Sequence, residues 1–335
     1  DLFLGPGEPD KPGEPGLSPA RRYRRLARLL HPDTAPAHRR AEAEAAFAVL
    51  GRLWEEYRKA ASRRSVTTRH GTYVLGATVA TGDIAVLRES GDGTVFKIPR
   101  SPADNDLMER EALALVALHR DGEPRYRAYA PRLVESFRHR EKTAAGGAER
   151  RVNVLRWLDG FHTLAEVRAA YPRGVDPRDA AWMWRRLLVA LGWAHRTGIV
   201  HGAVLPEHVL IHPEQHGLVL VDWCYSVTAG PDGTVPALVE RYRDWYPREV
   251  LRRRPATPAT DIHLATRCIE HLMGERAPRP LRMFIRGCTL PADARRPRDA
   301  WRLLAELDEV LERLYGPRTF RPFQMPGPRP GRTPR

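Results

Sequence analysis

The chain has 335 residues, 42% hydrophobic and 29% charged, so it can bury a core in one large domain or in two to three modest ones. Its formal net charge of +14 comes from arginines spread over the whole sequence, which does not favour a dedicated nucleic-acid surface. Three cysteines without metal-ligand spacing argue against a disulfide framework or a zinc site, and no apolar run reaches the length of a membrane span. We therefore expect a cytoplasmic protein.

Two amphipathic helices are predicted after an opening segment rich in proline and glycine. The sequence ARRYRRLARLL (20–30) places its apolar residues on one face and five arginines elsewhere. His31-Pro32-Asp33 interrupts this pattern, and RRAEAEAAFAVLGRLWEEYRK (39–59) resumes it. Two helices joined by a His-Pro-Asp loop, the first of them basic, resemble a J-domain, the co-chaperone module that stimulates DnaK-type chaperones.

The J-domain resemblance covers the N-terminal module, residues 1–65. It implies a DnaK-type chaperone as partner and a binding surface formed by the loop and the basic face of the preceding helix. The residues of that surface are His31, Pro32, Asp33, Arg24, Arg25 and Arg28. A helical hairpin that simply packs on the neighbouring domain is the alternative.

From residue 72 the apolar pattern changes from helical to strand-like. The runs TYVLGATVA, DIAVLRE and VFKIP are separated by short turns and predict three strands. Lysine is rare in this arginine-rich chain, so Lys97 inside the run VFKIP indicates a place where a compact ammonium is required. An apolar helix, MEREALALVALHR (108–120), follows.

The central stretch is GIVHGAVLPEHVLIHPEQHGLVLVDWC (198–224), in which two β-branched apolar runs flank HPEQHG and predict a short hairpin. A His-Gly turn before the hairpin and Asp222 after it resemble the catalytic loop and D-F-G region of protein kinases. On that pattern His201 and Asp222 keep their places. Ala203 stands where the catalytic aspartate belongs, and His208 stands where the metal-binding asparagine belongs.

The kinase resemblance spans residues 72–315, with its landmarks in the expected order. It implies an α+β, bilobal protein-kinase-like fold, preceded by the J-like hairpin. The antiparallel-sheet small lobe would occupy 66–157 and the helical large lobe 158–315. A Pro/Arg-rich tail (316–335) would follow, and its composition predicts that it is mostly disordered.

The same resemblance implies an ATP site, with or without one Mg²⁺ or Mn²⁺. Gly82 would belong to the loop that covers the phosphates, although two other glycines of that loop are missing. Lys97 would pair with the phosphates and with Glu111 of the following helix, for which Glu109 is a substitute. Asp222 would hold the nucleotide through the cation.

Four further residues have structural roles in the kinase pattern. His201 and Asp261 would hold the central loop, and Glu249 and Arg296 would form a buried ion pair between the activation segment and the large lobe. The four histidines near the hairpin also allow a metal-site hypothesis. Polar side chains beside a turn are the simpler explanation, because no thiolate or carboxylate set accompanies them.

Two departures from the kinase pattern weaken its chemistry. Ala203 has no group that accepts a proton, and the imidazole of His208 is a poor ligand for Mg²⁺. We therefore expect a catalytically degraded kinase, or pseudokinase, that acts as a nucleotide-responsive interaction protein and resembles the actinobacterial J-domain/kinase-like proteins. The open alternatives are an atypical phosphotransferase, with Glu207 or Asp244 in the missing role, and a scaffold that binds no nucleotide.

Overall fold

The computed structural model describes residues 19–62, 65–140 and 148–326. The Pro/Gly-rich opening segment and residues 327–335 of the predicted tail lie outside these ranges. The described residues group into two compact units, one formed by 19–104 with 134–159 and the other by 105–133 with 160–326. No helix within the described ranges is long and apolar enough to cross a membrane.

Two helices open the first unit, as the apolar periodicity predicted. They are α1 (Pro19–Leu29) and α2 (Arg40–Ser62). Between them Pro32–Thr34 forms a single 3₁₀ turn, in which the His31 ring nitrogen Nδ1 accepts the Asp33 backbone N–H at 3.3 Å. The helices contact each other through stacked Tyr23 and Trp54 rings, whose centroids lie 4.6 Å apart.

A six-stranded sheet forms the rest of the first unit, in the order β1-β2-β3-β4-β6-β5. Its strands are β1 (Ser65–Thr68), β2 (Gly71–Thr81), β3 (Ala85–Ser90), β4 (Thr94–Pro99), β5 (Leu133–Arg140) and β6 (Glu149–Arg156). The pairs from β1 to β4, and β4 with β6, run antiparallel. Tyr73, Phe96, Val152 and Val154 pack together as its core, which aromatic and β-branched residues fill well.

The second unit is mainly helical. Its helices are α3 (Asn105–Asp121), α4 (Leu164–Ala170), α5 (Pro177–Arg196), α6 (Arg248–Leu251), α7 (Pro258–Met273), α8 (Arg279–Cys288) and α9 (Ala300–Tyr315). The predicted start of α5 is present, with Asp176 accepting the Arg178 N–H at 2.9 Å and Pro177 in the first turn. Buried α5 packs against α7 and α9, so the core of this unit lies around it.

Short strands of the second unit carry the central stretch. The strands β7 (His162–Thr163), β9 (Val209–His212) and β10 (Gly217–Leu220) form one small sheet, and β8 (Ile199–Val200) pairs with β11 (Val227–Thr228). The β9–β10 pair is the hairpin that the two apolar runs predicted.

The first part of the predicted tail is ordered, which corrects the composition-based expectation for residues 316–326. Phe323 is only 4% exposed, and its ring centroid lies 5.6 Å from Tyr171 and 6.1 Å from Trp182. The Tyr171 hydroxyl donates to the Gln324 carbonyl at 2.5 Å. Burial of one aromatic ring outweighs the local proline content, which an average over composition does not reveal.

Candidate functional site

The hairpin register brings the central loop and Asp222 together. Residues 201–208 lead into β9 and Asp222 follows β10, so antiparallel pairing places His208 and Asp222 at the same end of the hairpin. The Val221 N–H donates to the His208 carbonyl at 2.8 Å, which extends the pairing by one step. Asp222 has a left-handed backbone, with φ 67° and ψ 49°, a conformation that aspartate tolerates better than most residues.

Asp261 holds the central loop from helix α7. One of its carboxylate oxygens accepts the His201 N–H at 2.7 Å and the other accepts the Gly202 N–H at 2.9 Å. The His195 ring nitrogen Nε2 lies 2.9 Å from the same carboxylate. Gly202 has φ +78°, and a Cβ there would lie 2.6 Å from the Tyr225 carbonyl, so the turn requires glycine. The arrangement is the one expected for His201 and Asp261 from the sequence.

The ring of His201 is part of this framework. It is fully buried, its Nε2 lies 2.9 Å from the Val221 carbonyl, and its Nδ1 accepts the Ala203 N–H at 3.2 Å. Burial lowers the pKa of His201 to about 4, because the charged ring would lose its hydration. His201 is therefore neutral at pH 7, with the proton on Nε2, and it fixes the loop without acting as a base.

Ala203 and His208, the two residues that depart from the kinase pattern, are joined by a hydrogen bond. The Ala203 side chain is fully buried. Its carbonyl lies 2.8 Å from Nδ1 of His208, and Nε2 of His208 lies 3.1 Å from Oδ2 of Asp222. The imidazole therefore touches the carboxylate that was expected to hold a cation.

A second group meets the Asp222 carboxylate. Oxygen atoms of Glu111 and Asp222 and the sulfur of Cys224 lie within 4.8 Å of one another, with Glu111 and Cys224 fully buried. Helix α3 positions Glu111, and it packs on the 3₁₀ turn Trp223–Tyr225 that follows Asp222. Two carboxylates and a thiol therefore lie side by side at the end of the β9–β10 hairpin.

The remaining two expected nucleotide residues lie in the first unit. Lys97 is 4% exposed on β4, opposite Leu87 of β3 and Asn153 of β6. Gly82 follows β2, and its N–H donates to the Ala85 carbonyl at 2.8 Å. A Cβ at Gly82 would make only an ordinary contact, 3.5 Å from that carbonyl, so the turn itself does not require glycine.

Glu249 and Arg296 form the buried ion pair expected from the sequence. The carboxylate of Glu249 on α6 contacts Nη2 of Arg296, and both residues are under 9% exposed. The Thr260 hydroxyl donates to the same carboxylate oxygen at 3.3 Å. The pair joins α6 to the chain just ahead of α9.

Glu207 makes a contact that the sequence did not reveal. Its Oε1 accepts the Tyr242 hydroxyl at 2.8 Å and lies 3.5 Å from Arg241. Burial and the adjacent carboxylate raise the pKa of Tyr242, so this hydroxyl stays protonated and remains a donor. The two ends of the contact are 35 residues apart and carry no shared sequence signal.

The residues expected to bind a chaperone lie on one module. Arg24, Arg25 and Arg28 are exposed on α1, and with Leu29 they line an open cavity of about 500 Å³. The His31 ring packs edge-on against Phe47 of α2, with centroids 5.3 Å apart, while Asp33 is exposed. The helices thus present a basic surface next to the His-Pro-Asp turn.

Comparison with solved structures identifies the fold. The BubR1 kinase domain superposes with a TM-score of 0.58 over 74% of this chain and 83% of that chain, at 15% identity. Vaccinia related kinase 3 superposes with a TM-score of 0.57 over 75% and 90%, also at 15% identity. This is a protein-kinase-like fold. The six-stranded sheet is its small lobe, and the helices of the second unit belong to its large lobe. Helix α3 groups with the second unit, although the sequence predicted it within the small lobe.

Similarity in sequence is much narrower than similarity in fold. Casein kinase II subunit alpha' of Saccharomyces cerevisiae is 38% identical over 58 residues, which make up 17% of this chain and 17% of that protein. No family model matches the chain.

Proposed function

We propose that this chain is a pseudokinase, a kinase-like protein that binds ATP, transfers phosphate poorly or not at all, and responds to nucleotide in its interactions with other proteins. The observation that carries the proposal is Ala203. A buried methyl group stands where a kinase needs a carboxylate to orient the attacking hydroxyl and take its proton. Loss of a general base typically lowers a rate by about 10²–10⁴.

The surroundings of the loop support this proposal over the rival one, an atypical phosphotransferase. Glu207, one candidate for a substitute base, already accepts a hydrogen bond from Tyr242. Asp244 is exposed on the 3₁₀ segment Glu240–Trp245. A transferring enzyme would have to release Glu207 from Tyr242 or move Asp244 to the loop.

Nucleotide binding is assigned to residues that keep their kinase identity. In the kinase pattern Lys97 would pair with the phosphates, and Asp222 would face them with or without one Mg²⁺ or Mn²⁺. A bound divalent cation would supply charge neutralisation. Partners in this proposal are proteins, in the cytoplasm, and not nucleic acids.

ATP-induced thermal stabilisation tests the binding part. Wild type should be stabilised by ATP, and Lys97→Ala should not, because an ammonium facing the phosphates is lost. Arg138→Ala is the matched control, since it removes a basic side chain of the same sheet that is 62% exposed. Equal stabilisation of wild type and Lys97→Ala by ATP would contradict the assignment of Lys97 to the phosphates. If ATP stabilised neither wild type nor any variant, the alternative of a scaffold that binds no nucleotide would remain.

Transfer of labelled γ-phosphate to a generic basic protein separates the pseudokinase from the phosphotransferase. We expect no transfer above that of Lys97→Ala. Robust transfer by wild type, lost in Lys97→Ala, would overturn the pseudokinase proposal in favour of an active enzyme.

A link to a DnaK-type chaperone is the second part of the proposal. The exposed arginines of α1, beside a His-Pro-Asp turn held by His31, support it. The full chain should stimulate the ATPase of a DnaK-type chaperone, and His31→Gln should remove the effect. Equal stimulation by both would show that the turn is not the contact.

A further inference from the structure

The last part of the described chain lies along the second unit as an extended peptide. Residues 317–326, the strap, form no helix or strand. From 321 onward every second side chain is shielded from solvent, namely Arg321, Phe323 and Met325, and those between them are exposed. An extended chain with one face against a surface has this period of two. The strap therefore presents one face to the protein and the other to solvent.

The surface beneath the strap is an aromatic groove with an acidic edge. Tyr171, Trp182 and His216 form the floor of the groove, where the rings of Trp182 and His216 stack with centroids 4.1 Å apart. Asp176 and Asp179, at the start of α5, form its edge. All five residues belong to the second unit, so the groove lies within one compact body.

Phe323 anchors the strap in the groove. Its ring is 4% exposed, and its centroid lies 5.6 Å from that of Tyr171 and 6.1 Å from that of Trp182. The Tyr171 hydroxyl donates to the Gln324 carbonyl at 2.5 Å, a contact that any peptide backbone can make. The floor thus selects an aromatic side chain and holds the backbone next to it.

Arg321 pairs with the acidic edge of the groove. Its Nε lies 3.2 Å from Oδ1 of Asp179, and its Nη2 lies 4.0 Å from Oδ2 of Asp176. The Asp179 side chain is 13% exposed, and its burial raises the pKa of that carboxyl while the Arg321 guanidinium opposes the shift. Because a cation stabilises a carboxylate in such a place, the edge favours an arginine two positions before the aromatic residue.

These contacts are of the kind that folded domains make with linear peptides, where aromatic and arginine anchors carry most of the affinity and the backbone adds hydrogen bonds. In this chain the peptide is supplied in cis, because the strap follows closely on α9, which ends at Tyr315. Such a short connection gives the strap an effective concentration on the order of millimolar at the groove. A second peptide therefore binds well only where the strap is weakened or displaced.

We propose that the groove is a docking site for a partner protein that carries an Arg-x-Phe peptide, and that the strap occupies this site in cis until the partner peptide displaces it. The inference goes beyond the proposed function, because the groove shares no residue with the proposed nucleotide site. The negative edge and the aromatic floor complement the arginine and the phenylalanine of such a peptide. The chain thereby has a protein-binding site that its own strap regulates.

Fluorescence anisotropy of a fluorescein-labelled peptide with the sequence of residues 317–326, titrated with the full chain, tests the proposal. Phe323→Ala removes the anchor of the cis strap, so this variant should bind the labelled peptide about tenfold or more tightly than wild type does. Gln324→Ala is the matched control, since its side chain is exposed and the backbone carbonyl that accepts from Tyr171 remains. It should bind the peptide as weakly as wild type does.

A charge reversal tests the acidic edge. Asp179→Lys, introduced into the Phe323→Ala chain, should abolish binding of the labelled peptide, and a peptide with the change Arg321→Glu should restore it. Arg321→Ala keeps the buried phenylalanine and should also bind the unchanged peptide more tightly than wild type, which preserves the test if Phe323→Ala does not fold.

Two results would overturn the proposal. The first is equal affinity of wild type, Phe323→Ala and Arg321→Ala for the labelled peptide, or no binding by any of them. The second is a wild-type dimer in light scattering that Phe323→Ala loses, because the straps would then be exchanged between two copies of the chain. Neither measurement uses ATP, so either result would leave the proposed function standing.

Discussion

Replacing Glu249 by alanine should lower the free energy of unfolding by about 3–5 kcal/mol, because it leaves the Arg296 guanidinium buried without a counter-charge. Arg296 is 3% exposed, and Glu249 contacts its Nη2. Within the described residues, Nε and Nη1 of Arg296 are buried without a hydrogen-bond partner. The carboxylate is therefore the main compensation for this charge.

The size of the loss is set by burial rather than by the hydrogen bond alone. An exposed ion pair is worth about 0–1 kcal/mol, because water solvates both partners when the pair is broken. Glu240 and Arg243 form such a pair in the same segment, at 3.2 Å, with side chains 76% and 56% exposed. Glu240→Ala is thus the matched control and should cost less than about 1 kcal/mol.

Urea unfolding, followed by tryptophan fluorescence, measures both variants at pH 7. Glu249→Ala should shift the midpoint to clearly lower urea with an unchanged slope, and its thermal midpoint should fall by roughly 10 °C. Equal losses in Glu249→Ala and Glu240→Ala would refute the reasoning, since the buried pair would then behave as a surface one.

Three other outcomes are expected. Burial lowers the pKa of His201 and of His263 to about 4, from an ordinary 6.5, so the unfolded chain takes up protons that the folded chain does not. The free energy of unfolding should be at its full value above pH 6.5 and fall by about 2 kcal/mol per histidine between pH 7 and pH 5. In thermal scans, His263→Gln should lose less stability than wild type over this range. An equal loss in His263→Gln and wild type would show that burial of His263 is not the cause. Ala203→Asp should not restore phosphate transfer, whereas Ala203→Asp with His208→Asn should give more transfer in Mg²⁺ than either single variant; full activity of the single variant would contradict this. His31→Gln should leave ATP-induced thermal stabilisation unchanged, because the His-Pro-Asp turn belongs to a different module from the proposed nucleotide site. Loss of that stabilisation in His31→Gln would show that the turn and the nucleotide site are coupled.

The fold could be predicted because several local patterns agreed with one another. The two apolar runs around HPEQHG specified the β9–β10 hairpin, and the Asp176-Pro177 start specified the beginning of α5. The distant pair of Glu249 and Arg296 followed from the order of landmarks in a known fold, not from any local pattern. A fold can be predicted from the sequence when local patterns and the order of motifs agree with one another.

Other features depend on contacts that no local pattern records. Burial of Phe323 against Tyr171 depends on tertiary packing, while the surrounding composition predicted disorder. The hydrogen bond from Tyr242 to Glu207 likewise depends on how a 3₁₀ segment lies over the central loop. Such contacts are made by side chains far apart in the chain, so periodicity and composition contain little information about them.

The changes at Ala203 and His208 are better understood as one change than as two. From the sequence they appear as separate losses, one of a base and one of a metal ligand. In the structure the ring of His208 contacts both the Ala203 carbonyl and the Asp222 carboxylate, so one side chain connects the two altered parts of the site. The Ala203 side chain is fully buried, so an aspartate there would be a desolvated carboxylate. Replacing Ala203 alone would therefore add a buried charge rather than catalysis, and only a change that also restores an oxygen donor at position 208 offers that carboxylate a cation to face.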